Sequence, residues 1–150
     1  MVGWSTRRTV LTACTLAFFA TMAARLVISP VVPAISAEFG VSNSLIGLSL
    51  TGVWFAYGLA QFPSGLLGDR FGQRVVILVA VAGTAVGSLL LALSPVFAVF
   101  FVFTLVLGGA AGLHYSVATT LLSRNFDNTG TAIGVHSAGA PVAGLLAPVT

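Results

Sequence analysis

Gly65-Leu66-Leu67-Gly68-Asp69-Arg70-Phe71-Gly72-Gln73-Arg74-Val75 decides the reading of this chain, because it is a short charged link between two long uncharged runs. It carries one acid and two arginines, in a protein with six arginines, no lysine and three acids. Before the link's charges, residues 39–68 are 30 positions without a charge; after them, residues 75–123 are 49. A membrane-spanning helix uses about 20 apolar residues. The first run is therefore one span. The second is too long for one and must fold back, and Ser94-Pro95 in its middle supplies the turn.

Working outward, residues 9–24 are uncharged up to Arg25, residues 26–37 are uncharged after it, and residues 128–150 form a last uncharged run of 23. These runs predict helices over about 9–34, 43–67, 74–93, 97–122 and 129–150. Composition agrees. The chain is 57% hydrophobic and 6% charged, with a mean hydropathy of +1.08. A soluble domain carries about a quarter charged residues, so a chain this poor in charge cannot cover a globular surface with water-compatible groups. Strands are not expected, because the runs lack the alternation over about ten residues that a barrel needs. The expected fold class is an all-α integral membrane protein of about five transmembrane helices.

Several functions fall away. The formal charge of +3 rests on scattered arginines with no basic cluster interleaved with aromatics, so nucleic acid is not an expected partner. Cys14 stands alone, which allows no internal disulfide and no metal cluster. There is no phosphate-cradling glycine loop to suggest ATP drive. The expectation is a membrane protein that is not an enzyme, with no cofactor and no metal, whose partners are lipid and a small solute.

Arginine placement sets the expected orientation. Arg7 and Arg8 precede the first helix, Arg70 and Arg74 follow the second, and Arg124 follows the fourth. All three segments fall on one side, and the loops near Glu38 and Pro95 hold no arginine or lysine. The positive-inside rule then puts the amino terminus in the cytoplasm of a multi-pass protein, with the plasma membrane as the expected location. Two patterns at the start imitate processing signals. Thr6-Arg7-Arg8-Thr9-Val10-Leu11 has a twin-arginine pattern, and Leu11-Thr12-Ala13-Cys14 that of a lipoprotein box. A retained first helix behind a cytoplasmic arginine pair explains the same residues, and almost no apolar segment separates Arg8 from Cys14. Thr150 falls at the end of the fifth helix with no polar loop after it, so the chain reads as cut.

The 65–75 link resembles the signature loop of the major facilitator superfamily. That signature runs Gly, three residues, Asp, a basic residue, any, Gly, any, then two basic positions. Gly65, Asp69, Arg70, Gly72 and Arg74 match, and Val75 departs at the second basic position. The resemblance implies that residues 1–150 are the partial amino-terminal transmembrane domain of a transporter of about twelve helices, with the carboxy-terminal half absent. It also implies a gating role: in that family the loop latches the two halves on the cytoplasmic side. Physically, glycines permit close backbone approach, and Asp69 can cap a helix amino terminus and meet its positive dipole end. Arg124 and Asp127 in the next cytoplasmic loop are the charged partners this chain itself offers. The alternative is a merely charged hairpin loop.

Thr51, Gly58 and Gly65 lie seven apart on the second helix, and Gly130, Gly134 and Ala138 lie four apart on the fifth. Both stripes read first as helix-packing motifs. Gly139-Ala140-Pro141-Val142-Ala143-Gly144 is similar to the superfamily's antiporter motif only at Pro141 and Gly144, so antiport is not inferred. Pro141 and Pro148 are expected to bend the helix. The arginine found on the fourth helix of many proton-coupled members would fall near Thr104, and it is missing.

Arg25 is the arginine outside the cytoplasmic segments. At 1.5 Å per residue it lies roughly 24 Å from Thr9 and about 14 Å from the outer end of the first helix. Two readings stand. It snorkels to the outer headgroups, or it offers a planar guanidinium fork to a substrate anion. Arg25-Leu26-Val27-Ile28-Ser29 with Pro33, Phe39-Gly40-Val41-Ser42 and Gly47 resembles the first helix of the organic anion and organophosphate symporters, and this resemblance implies the second reading. The Asp that commonly precedes that arginine is Ala24 here. Tyr57, Gln61 and Tyr115 either line the same cavity as substrate-binding residues or hydrogen-bond between helices. His114 and His136 flank the hairpin symmetrically, both roughly 12–15 Å from its end. They form a proton relay, or ordinary interhelical hydrogen bonds, and the second is the commoner outcome.

The expected function is secondary active transport of a small organic solute, an organic anion on the Arg25 reading. It works by alternating access and is driven by a coupling ion (proton or sodium) or by the solute's own gradient. The alternative is a non-transporting membrane scaffold or accessory subunit of five helices.

Overall fold

The computed structural model describes residues 4–147, and they form helices joined by short turns, with no strand among them. The order is α1 (Trp4–Leu26), α2 (Val32–Phe39), α3 (Asn43–Phe71), α4 (Gln73–Ala92), α5 (Phe97–Asn125), α6 (Thr129–Ser137) and α7 (Gly139–Leu146). Among the described residues, four helices are long and apolar enough to cross a membrane: Thr6–Leu26, Asn43–Phe71, Gln73–Ala92 and Phe97–Asn125. α6 and α7 make a fifth rod. Ala138 between them keeps helical angles, φ −61° and ψ −18°. Laid end to end they reach about 27 Å, near the thickness of a hydrocarbon core. The chain is a multi-pass, all-helical membrane protein.

Two departures from the expected helices have the same cause. Over 9–34 the structure does not run one helix: α1 ends at Leu26, and a tight turn carries the chain to α2. Pro30 and Pro33 have no backbone N–H to continue the ladder. The turn is held by short-range bonds instead, Ser29 N to Leu26 O at 3.2 Å and Val32 N to Ser29 O at 3.3 Å. Over 129–146 the rod is interrupted at Ala138, because Pro141 cannot donate to the Ser137 carbonyl. Pro148 and the end of the expected last helix lie outside the described residues.

The elements between stop and start by ordinary capping. Gly40 takes the left-handed conformation, φ 60°, at the end of α2, and the Ser42 side chain accepts from Leu45 N at the start of α3. Gly72, at φ 87°, makes the corner between α3 and α4.

α5 is the axis of the bundle, flanked by α3 on one side and α4 on the other. Small residues make both contacts close. A Cβ on Gly108 would collide with the Val53 carbonyl oxygen, and one on Gly112 with the Tyr57 carbonyl oxygen. On the other side a Cβ on Gly87 of α4 would stand 3.2 Å from the Leu107 Cα. α1 packs against α7, where a Cβ on Gly139 would stand 3.0 Å from the Thr15 carbonyl oxygen. Without a hydrophobic drive between helices in lipid, such close backbone approach is the main source of packing.

The two stripes read from the sequence are not the ones used inside this bundle. A Cβ at Gly58, Gly65, Gly130 or Gly134 meets nothing within 4 Å, and Thr51 and Ala138 are exposed. Spacing marks a helix face but not whether a neighbour covers it. The spacing that matters is Gly108-Gly109-Ala110-Ala111-Gly112, a Gly-x-x-x-Gly pattern inside an apolar run that gives it no outward mark.

Candidate functional site

α1 turns a partly polar stripe inward. Cys14, Phe18, Thr21 and Arg25 recur at intervals of four, three and four residues, which is one face of a helix. All four are buried. Two groups of side chains assemble along this stripe.

The first is built around Arg25, which is only 2% exposed. Its Nε donates to the Thr21 carbonyl oxygen at 3.1 Å, and its Nη2 to the Met22 sulfur at 2.9 Å. The guanidinium carbon stands 3.8 Å from the centre of the Tyr57 ring and 4.7 Å from that of Trp54. A cation over these ring faces is attracted by their quadrupoles, and more strongly where water is excluded. Nη1 is buried with no hydrogen-bond partner. No acid pairs with Arg25 among the described residues: Asp69 and Asp127 pair with other arginines, and Glu38 lies exposed in α2. Trp54 is 44% exposed and Tyr57 is half-buried, so a thin aromatic cover lies between the guanidinium and the outside of this bundle. The α3–α5 contact sets that cover in place, since Gly112 lies directly under the Tyr57 backbone. Gln61, one turn along α3, is half-buried and its side chain makes no hydrogen bond among the described residues. Trp54 and Met22 belong to this group and were missed in the sequence, where neither sits in a motif.

The second group lies two turns along α1. The Phe18 ring centre is 5.9 Å from His114, 5.3 Å from Tyr115 and 4.9 Å from His136. The two imidazoles are 5.5 Å apart and both are 0% exposed. None of their four nitrogens has a hydrogen-bond partner of ordinary geometry. The Tyr115 hydroxyl lies 3.5 Å from the Ser137 hydroxyl, across from α5 to α6. The structure thus brings Arg25 to Tyr57, and His114, Tyr115 and His136 to one another.

The charged link forms a third region at the arginine-bearing end. Asp69 lies in the last turn of α3 and meets Arg124 of α5, Oδ1 to Nη2 at 3.4 Å. It does not cap α4, whose cap residue Gly72 makes no side-chain bond. A cavity of about 120 Å³ between Gly65, Gly68, Gln73, Val117 and Thr120 opens beside this pair. Arg7 pairs with Asp127 at 3.2 Å, tying α1 to the α5–α6 turn. The Arg70 guanidinium stands 5.4 Å from the Phe71 ring, and Arg74 is exposed. Thr104, at the position of the fourth-helix arginine of proton-coupled members, is buried and donates to the Phe101 carbonyl oxygen at 2.6 Å. A wider cavity, about 510 Å³, lies elsewhere, among Ile28, Ile35, Glu38, Leu91 and Phe100 at the opposite end, and holds none of the expected site residues.

Comparison with known proteins agrees with this architecture. Residues 14–150 match the family profile described as Major Facilitator Superfamily. The human voltage-gated purine nucleotide uniporter SLC17A9 is 33% identical over 110 residues, 70% of this chain and 25% of that protein. The probable anion transporter 6, chloroplastic, of Arabidopsis thaliana is 32% identical over 120 residues, 75% of this chain and 23% of that protein. The tetracenomycin C resistance and export protein of Streptomyces glaucescens is 35% identical over 107 residues, 70% of this chain and 20% of that protein. The chain therefore spans a quarter or less of each of these relatives. With its multi-pass helical fold, its signature loop and a match over most of its length, the chain belongs to the major facilitator superfamily.

Proposed function

We propose that the chain is the amino-terminal part of a secondary transporter of small organic anions that works by alternating access. The observation that carries this is Arg25: a buried guanidinium with an unpartnered Nη1 and no acid beside it. An arginine inside a membrane is costly, and proteins that keep one usually turn it to the interior to bind something. Here the partner missing from the chain's own residues is an anion. The planar fork suits carboxylate or phosphate, and Tyr57 and Trp54 hold the guanidinium until the anion arrives. Two of the relatives above are named for anions, purine nucleotides being anionic, and this supports the same reading. The export protein among the relatives supports a second one, efflux of a bulky drug, in which Arg25 serves only to hold α1 against α3.

The Asp69–Arg124 pair, in the same reading, is a latch. It holds α3 to α5 at the end where the family's loop joins the two halves, and it must rearrange as the halves rock. The test uses the full-length protein in proteoliposomes, offered ATP, inorganic phosphate, glucose 6-phosphate, glutamate and the cationic dye ethidium. Anion uptake without ethidium movement is expected. Asp69→Asn is expected to insert normally and lose most of that uptake. Movement of ethidium alone would sink the anion reading, and normal uptake by Asp69→Asn would sink the latch.

The arginine asymmetry supports an orientation with the amino terminus in the cytoplasm. A cysteine placed at Glu38 is expected to react with an impermeant thiol reagent on intact cells, while one at Gln73 stays unlabelled. The reverse pattern would invert the topology.

A further inference from the structure

We infer that His114 and His136 form a single proton-binding site, holding one proton between them, and that this proton is the coupling ion of the transporter. The inference rests on the transport reading above but not on the role of Arg25. It starts from an imbalance. A neutral imidazole has one N–H donor and one acceptor nitrogen. None of the pair's four buried nitrogens makes a hydrogen bond of ordinary geometry, the Cys14 backbone stands beside both rings, and the rings are 5.5 Å apart. Buried polar groups left unpaired are costly, and the cost is lowest if they serve one another. At this separation one ring's N–H can face the other's bare nitrogen, directly or through one water. One added proton then gives an imidazolium hydrogen-bonded to a neutral imidazole.

The surroundings limit the site to one proton. The charged or titratable groups facing the pair are Arg25 and Cys14 on α1 and Tyr115 on α5. The Cys14 backbone faces both rings, while the Cys14 side chain packs with Ala118, Leu122 and Ala132. Tyr57 of α3 lies farther along the stripe, against Arg25. α6 and α7 bring no other ionisable residue. No carboxylate is present to balance a second positive charge, and two imidazolium ions this close would repel each other and Arg25. The donor set also selects the ion. Sodium is held by backbone carbonyls and other oxygens in such transporters, and this pair offers nitrogen. Zinc needs at least three protein ligands, and no group of three His, Cys, Asp or Glu is assembled among the described residues.

The pair is also placed to move something. It bridges α5 and α6, and His136 is one residue from Ser137, whose carbonyl lacks its helical partner because of Pro141. The Tyr115–Ser137 contact crosses the same boundary. A charge gained here acts at the joint where α6 meets α7, against which α1 packs.

The test is magnetic resonance of the full-length transporter in lipid bilayers with labelled histidine, from about pH 4 to about pH 9 around the ordinary imidazole range. Signals from the pair are found by difference from the double variant His114→Asn/His136→Asn. The expected result is one imidazolium per pair, and in each single variant one histidine that titrates in a single step at a changed midpoint. Both imidazoles charging together, neither charging by about pH 4, or single variants that titrate as the wild type does would overturn the inference. A second readout compares uptake under a proton gradient with solute exchange at equal pH, using the fastest-moving anion of the panel. His136→Asn is expected to lose gradient-driven uptake and keep exchange. Equal loss of both modes, in His136→Asn and in the milder His136→Gln alike, contradicts coupling at this site. If the wild type moves no solute in either mode, the transport reading fails, and the titration still decides whether the pair shares a proton.

Discussion

Gly108→Val is expected to abolish assembly of the bundle. A Cβ at Gly108 meets three backbone atoms of Val53: the carbonyl oxygen, the carbonyl carbon at 2.9 Å and the Cα at 3.0 Å. Backbone cannot swing aside as a side chain can, so α3 and α5 must separate. Overpacking a well-fitted core costs about 1–3 kcal/mol, and here it also removes a backbone-to-backbone approach between α3 and α5. Gly112→Val is expected to behave likewise, because its Cβ meets the Tyr57 carbonyl oxygen and, at 2.9 Å, the Ala60 Cβ. Gly109→Ala is the control: a Cβ there meets nothing within 4 Å. The measurement is the yield of monodisperse full-length protein after detergent extraction, read by a fluorescent tag. Loss in Gly108→Val with normal yield in Gly109→Ala is the expected pattern. A wild-type yield of monodisperse Gly108→Val would show that the α3–α5 approach is looser than described. The consequence reaches the site as well, since this contact sets Tyr57 over Arg25.

The parts of this protein legible in the sequence are those written in charge and hydropathy. The uncharged runs on either side of the 69–74 charges announce a helical membrane protein, and the signature residues announce the family. What sequence hides is which face of each helix has a neighbour. α3 and α5 are apolar nearly all round, so no moment points a side inward. The Thr51–Gly58–Gly65 stripe therefore looked like a contact while the real one ran through Gly108 and Gly112. α1 is similar. Pro30 and Pro33 stood in plain view, yet an uncharged run does not say where a helix stops. The histidines could be placed at one depth by hairpin symmetry, but nothing in the chain said that Phe18 of α1 would stand against both. Trp54 carried no signal at all, because a lone tryptophan on an apolar helix is ordinary until an arginine is found beneath it.

Arg25→Lys separates the central claim from its rival. Lysine keeps the charge and a long stem, so an arginine that only braces α1 against α3 tolerates the change. A lysine keeps a cation over Tyr57 and Trp54 but cannot reproduce the planar fork. If the guanidinium binds an anion through two parallel bonds, the variant loses one charge-assisted hydrogen bond of about 1.5–3 kcal/mol. That corresponds to roughly tenfold to hundredfold weaker affinity. The measurement is the concentration dependence of uptake of the best panel anion by full-length wild type and Arg25→Lys, at matched membrane expression. An apparent affinity at least about tenfold weaker in Arg25→Lys is the predicted result, and an unchanged affinity would contradict a substrate anion at Arg25.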